Sequence, residues 1–480
     1  MSPPAPGQYR RRVAILEQEP TDTRALTAQR FDRMSLDGVS KLPPVDTTGL
    51  PPGPPWPALV QTIALFRFRH WFHPWLRKNY GPSFTIHMLP GGRPFVLFTR
   101  PEDIKEIFAG DPEVFHAGKG NSVLGPVMGE HSLLLQDGGD HKRARKLLMP
   151  AFNGHALRSY QGLITDLARD EVAHWPESRT FESLQRMNTL TLEVILRVVF
   201  GVTDEERLAA LRPCVNATVD VNPGVFLIGT YRSLQKLPAY QRVVANQEEL
   251  DRLIYAEIRE RRVAPDLAER TDVLSRLIRE GQDSDDPADR LDDTELRDQL
   301  VTLLLAGHET TATSLAWALY ELGRYPELMR RTQEAADAGD ADGDAWLDAV
   351  MKESMRLHPV IPIVLRTLQE PATIAGIDIP AGTTVGPSIV VAHGDANYER
   401  AEEFDPTRFL GQNPPTNTWI PFGGGARRCI GAGFALMEGA AILREVLLAW
   451  NVHTEHDDKP RVRNITSVPD LGARIHVTPR

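Results

Sequence analysis

The sequence predicts a mainly α protein with small β-sheets, and three observations carry that reading. From about residue 140 to 350, apolar residues recur at three-to-four spacing, the period of helices with one buried face. The β-rich pieces are short. They occupy residues 84–99 and 362–390, the latter punctuated by Pro371, Gly376, Pro380, Gly382 and Pro387. One uninterrupted helical pattern runs from Asp292 to Arg324 between breakers at Pro287 and Pro326, and no internal repeat divides the chain.

Residues 1–45, rich in Pro, Arg, Thr and Asp without a sustained apolar period, read as a flexible N-terminal arm with one short helix near Ala25–Met34. Residues 46–480 read as a single domain, opening on Leu50-Pro51-Pro52-Gly53-Pro54-Pro55, a stiff stretch that excludes helix and central strand. Phe84–Met88 and Pro94–Thr99 alternate about a Pro90-Gly91-Gly92 turn and predict a hairpin. The long helix starts with a capping box, Asp292 with Glu295. Leu296, Leu300, Leu303, Leu304, Gly307, Thr311, Leu315, Ala318 and Leu322 then mark one face. At 1.5 Å per residue it spans roughly 50 Å and must cross the whole molecule. A further helix is expected over Ile430–Trp450.

Composition narrows the class. The 480 residues are 41% hydrophobic and 25% charged, which excludes a disordered or fibrous chain. A net charge of −10 speaks against nucleic acid as a partner. Cys214 and Cys429 are the only cysteines, so a disulfide framework and a Cys-rich zinc site are excluded. The N-terminal apolar run Val13–Leu16 is too short for a secretory core, which indicates a cytoplasmic protein. No window reaches the ~20 apolar residues of a transmembrane anchor.

The most informative stretch is Phe422-Gly423-Gly424-Gly425-Ala426-Arg427-Arg428-Cys429-Ile430-Gly431. Its glycines let the backbone turn sharply and approach a flat partner closely. Cys429 stands at the start of a helix, where the macrodipole favours an anion, and Arg427 and Arg428 add charge that lowers a thiol pKa. A lone cysteine is more often a small buried hydrophobe. Phe, Gly, Gly and Arg at these offsets arise by chance with a probability of order 10⁻⁵. A stabilised thiolate on such a loop is a metal ligand or a nucleophile. Phe422-x-x-Gly425-x-Arg427-x-Cys429-x-Gly431, followed by Ala435, resembles the haem-binding signature of the cytochrome P450 family.

The resemblance implies the cytochrome P450 fold, a large helical lobe plus a smaller β-rich lobe, and haem b (iron protoporphyrin IX) as cofactor. It implies Cys429 as the proximal iron ligand, with Phe422, Gly425 and Gly431 shaping the haem loop and Arg427 on a propionate. Ala306-Gly307-His308-Glu309-Thr310-Thr311 leaves a gap beside the long helix for a ligand, with an acid and a hydroxyl at its centre. It resembles the family's oxygen-binding motif, in which Ala306 and Gly307 face haem, Thr310 steadies dioxygen by hydrogen bonding and Glu309 relays protons. His308 reads as structural. His141 and Arg145, on one helix face, resemble the family's propionate-binding His-x-x-x-Arg, and Arg366 supplies a further donor. Lys142, Arg143 and Lys146 point elsewhere.

Glu353-x-x-Arg356 resembles an architectural motif completed by Arg408 of Pro406-Thr407-Arg408-Phe409. The same spacing at Glu249/Arg252, Glu321/Arg324 and Glu327/Arg330 reads as surface pairing. Glu353 is singled out by lying 76 residues ahead of Cys429. Two departures, Pro359-Val360 and His393-Gly394-Asp395-Ala396, stand where the family often has Pro-Pro and His-Arg-Asp-Pro.

The implied activity is a haem-thiolate monooxygenase inserting one atom of O2 into a lipophilic small molecule. Electrons would come from a ferredoxin and its reductase, docking where Arg427, Arg428, Lys142 and Arg143 oppose the overall acidity. Mostly apolar segments over the haem, carrying Val123, Leu124, Val127, Met128, Val225, Phe226, Ile361, Ile363 and Val364, indicate the lipophilic substrate. The alternatives are a haem-thiolate peroxygenase or isomerase, which the intact Glu309-Thr310 pair argues against, and a non-enzymatic haem sensor or binding protein, which would usually carry an added signalling domain.

Overall fold

The computed structural model describes residues 23–33, 45–89, 91–221, 225, 235–411 and 414–480, and helices dominate them. Helix α1 (Thr23–Arg33) lies within the segment that composition assigns to a mobile arm, yet it is docked on the body. Thr27 Oγ1 donates to Asp251 at 2.5 Å, Arg30 pairs with the same carboxylate at 2.9 Å, and Phe31 is buried edge-on to Tyr240. Its anchor sits 224 residues away, out of reach of any local pattern.

The proline stretch does not float before α2 (Ala58–Tyr80) but runs along β1 (Ser83–Met88), where Thr85 N–H donates to Pro52 O at 3.1 Å. β1 pairs antiparallel with β2 (Arg93–Phe98) in the expected hairpin, Ser83 opposite Phe98 and Met88 opposite Arg93. After the short β3 (Phe115–His116), α3 (Gly138–Leu148), α4 (Gly154–Ala173), α5 (Ser183–Ile195), α6 (Glu205–Val219) and α7 (Pro238–Arg262) lead to α8 (Asp293–Arg324), against which α5, α6 and α7 pack. Both halves of the Asp292/Glu295 capping box form. Leu304, Leu315 and Leu322 on one face of α8 and Trp317 on another are all fully buried, as crossing the interior requires. Arg297 of α8 is fully buried, pairs with Asp251 at 2.6 Å and Asp298 at 2.9 Å, and donates to the Val127 and Met128 carbonyls. Asp251 therefore holds two guanidiniums and ties α1, α7 and α8 together; such a network survives burial only because every member is bonded.

Helix α9 (Ala341–Leu357) precedes β4 (Arg366–Leu368) and β5 (Thr384–Pro387), which complete a sheet in the order β1-β2-β5-β4-β3. The chain closes with α10 (Ala432–Ala449), the hairpin β6 (Pro460–Arg463) and β7 (Thr466–Pro469), and a small sheet built around Arg474–Pro479. The core divides accordingly. One large cluster runs through the helices, while smaller ones, such as Phe72, Leu76, Phe84, Ile86 and Leu97, lie against the five-stranded sheet.

Glu353 and Arg356 form a fully buried bidentate pair at 2.7 and 2.8 Å. Glu353 also accepts from Asp405 N–H at 2.9 Å and faces Arg408 at 3.4 Å. Arg356 donates onward to the carbonyls of His393 and Glu403. Two of the look-alike motifs are surface pairs, as expected. Glu321 pairs with Arg324 at 3.5 Å but is itself buried and also takes His358 Nε2 at 2.7 Å, while Arg324 lies over the Tyr320 and Tyr325 rings.

Candidate active site

The cysteine loop closes on itself through Cys429 N–H donating to Phe422 O at 2.9 Å. Helix α10 begins at Ala432 with Gly431 as its cap, so Cys429 sits in the turn ahead of the helix instead of at its start. Gly425 has φ +64°, and a Cβ there would lie 1.9 Å from the Phe108 carbonyl oxygen. Glycine is thus demanded by the helix Pro101–Ala109 pressed against the loop, a protein partner and not only a flat ligand.

Cys429 retains exposed surface although protein encloses it on most sides, so that surface faces an interior space. Burial pushes its thiol pKa up, and the Gly431 N–H, Arg145 and Arg428 offset this only partly. Arg427, expected to help, is drawn away. It pairs with Asp137 and donates to the carbonyls of Leu133 at 3.2 Å and Gln136 at 2.5 Å. An enclosure that disfavours the bare thiolate still suits a thiolate whose charge is met by a metal cation.

Helix α8 opens to the interior at one turn. Ala306 is exposed, and Leu305, Gly307 and Thr310 are half-exposed, in a helix otherwise buried through its centre. Thr310 Oγ1 donates to Ala306 O at 2.7 Å, which spends the hydroxyl proton on the helix until the side chain turns inward. The space beside Gly307 is filled by protein: a Cβ there would meet Ile195 of α5 at 2.7 Å. That glycine permits helix–helix approach. His308 is buried with Nδ1 3.0 Å from Leu304 O, a structural position.

Glu309 is buried, with Arg463 at 3.5 Å and Thr466 Oγ1 at 3.4 Å, both from the β6–β7 hairpin. Burial raises its carboxyl pKa to about 7, against the pull of Arg463. A carboxyl poised there exchanges protons in both directions near neutrality. Arg463 also pairs with Asp220 at the end of α6, so the acid is held from a second element that no local motif announces.

Arg427 is paired with Asp137, His141 and Arg366 feel the same carboxylate, and Arg145 lies close enough to act on His141 and Arg427. Burial, reinforced by Arg427 and Arg145, lowers the His141 pKa to about 4; burial and Arg427 lower Arg366 to about 10. Three guanidiniums gathered against their own repulsion beside a neutral imidazole fit an anionic ligand bearing more than one carboxylate. Haem meets that requirement, with two propionates for the cations and an iron for the Cys429 sulfur. Asp137 was missed in the sequence because its work is done across the chain: it also accepts from Gly118 N–H at 2.8 Å and Lys119 N–H at 3.2 Å. Phe226 lies outside the described residues, while Val127, Met128 and Val360 are buried. Of the expected basic docking residues, Arg143 is occupied by Glu295 at 2.6 Å and Arg427 by Asp137, leaving Lys142 and Arg428 exposed.

Glu438 of α10 is a second missed acid, fully buried and joined by a hydrogen bond to Thr311 of α8. Burial raises its pKa to about 8 from an ordinary 4.5. The native state then holds this proton more tightly than the unfolded chain, so stability falls as pH rises across that interval. Glu438→Gln is expected to flatten this slope and to gain on the parent above pH 8 in urea titrations run at both ends. Identical slopes would mean that Glu438 titrates as an ordinary carboxyl.

Comparisons with known proteins agree with this geometry. A family described as Cytochrome P450 matches residues 51–475. A Mycobacterium tuberculosis protein named cytochrome P450 135A1 is 47% identical over 438 residues, 90% of this chain and 96% of its own. Cytochrome P450 135B1 of Mycobacterium bovis is 42% identical over 435 residues, covering 89% and 91%. Among solved structures, retinoic acid bound cyanobacterial CYP120A1 superposes with a TM-score of 0.75 at 23% identity, covering 90% of this chain and 99% of that one. The haem domain of cytochrome P450DA also reaches 0.75, at 24% identity, covering 91% and 99%.

Proposed function

Because this chain belongs to the cytochrome P450 family, whose enzymes are haem-thiolate monooxygenases, we propose that it hydroxylates a lipophilic small molecule with one atom of O2, in the cytoplasm, drawing electrons from a ferredoxin and its reductase. The observation that carries the proposal is the Glu309–Thr310 pair on the one inward-open turn of α8. Bound haem would supply activation of dioxygen for insertion into a carbon–hydrogen bond.

The chain's own residues do the rest. Cys429 Sγ would hold the iron, and His141, Arg145, Arg366 and Arg427 would hold the two propionates. Phe422, Gly425 and Gly431 shape the loop that carries the sulfur, and Ala306 offers a small face to the reacting space. The Thr310 hydroxyl, once turned from the Ala306 carbonyl, donates towards oxygen. Glu309, close to half-protonated at neutral pH, restores the proton, and Arg463 orients it. Exposed Lys142 and Arg428 remain to meet an acidic ferredoxin.

Turnover of a lipophilic library under ¹⁸O2 tests the reading: one labelled oxygen atom per product molecule is expected, and label from water alone would refute it. Thr310→Ala is expected to lower product per electron by ~10-fold or more, with the remainder released as hydrogen peroxide. Unchanged coupling would remove Thr310 from the reaction. Arg366→Leu is expected to speed haem transfer to an excess of acceptor apoprotein by ~10–100-fold, the worth of one charge-assisted bond. Its apoprotein should be no less stable, because Arg366 is buried beside Arg427.

A further inference from the structure

Helix α2 carries large apolar residues both against the core and in the open. Leu65, Phe72 and Leu76 are buried against β1 and its sheet. The helix bends at Phe68, where the backbone leaves helical geometry, and Leu59, Val60, Ile63 and Phe66 before the bend and Phe68 and Trp71 at and after it are exposed, Leu59 by 56% and Trp71 by 57%. Exposed Leu89 at the β1–β2 turn is tied to α2, since its N–H donates to Thr62 Oγ1 at 3.0 Å. So is exposed Ile465 at the β6–β7 turn, its carbonyl held by Arg69 of α2 at 3.1 Å. Eight of the twelve large exposed apolar residues among the described ones therefore lie on α2 or on the two turns bonded to it. Isolated exposed apolar residues need no explanation, but a concentration of this kind marks an interaction surface.

The charge on the helix selects the occupant. In a chain of net charge −10, α2 carries Arg67, Arg69, Arg77 and Lys78 and no acidic residue. Arg69 is spent inside, on the 464–466 turn, but Arg67 and Lys78 are exposed, with the Arg67 guanidinium 5.6 Å over the Phe68 ring. Long cationic side chains beside Leu, Ile, Phe and Trp are what a helix lying in a headgroup layer requires. No described helix is long and apolar enough to cross a membrane, and the far side of α2 is core, so the helix can only lie flat. A second copy on the same face would set these cations against their own counterparts.

We propose that α2, with the Leu89 and Ile465 turns, docks the protein on an anionic lipid surface. The hairpin that presents Ile465 also carries Arg463, the partner of Glu309. The docked face thus adjoins an element of the active site, and a lipophilic molecule dissolved in the bilayer would have a short route to it. Docking itself does not depend on the proposed reaction.

The test is flotation of the haem-loaded full chain with phosphatidylcholine vesicles, with and without phosphatidylglycerol. Binding is expected with the anionic vesicles and is weakened by salt. Ile63→Ser, Phe66→Ser and Trp71→Ser together should cut it at least ~10-fold with the visible spectrum unchanged, since all three are surface positions. Arg67→Glu with Lys78→Glu should abolish the preference for phosphatidylglycerol. No flotation with anionic vesicles, or a triple variant that floats like the parent, would overturn the proposal. So would a concentration-dependent dimer in light scattering that the triple variant dissolves, because the face would then belong to a second copy. Because no turnover is involved, either result leaves the oxygenation reading to its own test.

Discussion

Cys429→Ser is expected to remove the strongly red-shifted Soret band of the reduced, carbon monoxide-treated protein and to abolish oxygenation of substrate, while the fold survives. The bond from Cys429 N–H to Phe422 O fixes the backbone of the turn, and serine keeps it. What serine lacks is a soft anionic sulfur in an enclosure that already disfavours a bare thiolate. Cys214→Ser supplies the control. It alters a thiol buried on α6, in the one other cysteine of the chain, and should leave the band in place. A red-shifted band that persists in Cys429→Ser would mean that the iron is held elsewhere, and the roles given to the surrounding loop would fall with it.

Glu353→Ala should lower the stability of the folded protein by ~3–5 kcal/mol in urea titrations. The truncation leaves Arg356, 1% exposed, without its bidentate partner, strips Asp405 N–H of its acceptor and leaves Arg408 facing no carboxylate. Arg356→Lys should not be a mild change, because an ammonium cannot grip both carboxylate oxygens while reaching the His393 and Glu403 carbonyls. The exposed look-alike pair Glu327/Arg330 provides the contrast: Glu327→Ala should cost under ~1 kcal/mol. Equal losses at the two sites would show that burial is not what distinguishes them.

That contrast also marks how far the sequence could be read. Glu353, Glu321, Glu249 and Glu327 all stand three residues before an arginine, and spacing alone cannot rank them. Distance from Cys429 and the resemblance pick out Glu353. Nothing in the sequence separates buried Glu321, held by His358, from the two surface pairs. The cysteine loop was legible because its glycines, arginine and cysteine lie within ten residues. Gly424 and Gly425 prove to answer to Phe108, and Arg427 to Asp137.

By itself the sequence determined what is written in short-range pattern. It specifies the capping box and length of α8, the β1–β2 hairpin, the confinement of strands to short pieces and the placing of an acid and a hydroxyl at mid-helix. Each is encoded within one or two turns by periodicity, capping chemistry or conformational restriction. Only the tertiary structure decided that Thr23–Arg33 is anchored on Asp251, that Asp137 holds Arg427 and that Arg463 holds Glu309. It also decided that Glu438 is buried against Thr311 and that α2 leaves large apolar residues in the open. These outcomes depend on which charges lose water and which partners replace it, and burial brings those partners together from hundreds of residues apart, beyond what any local spacing records.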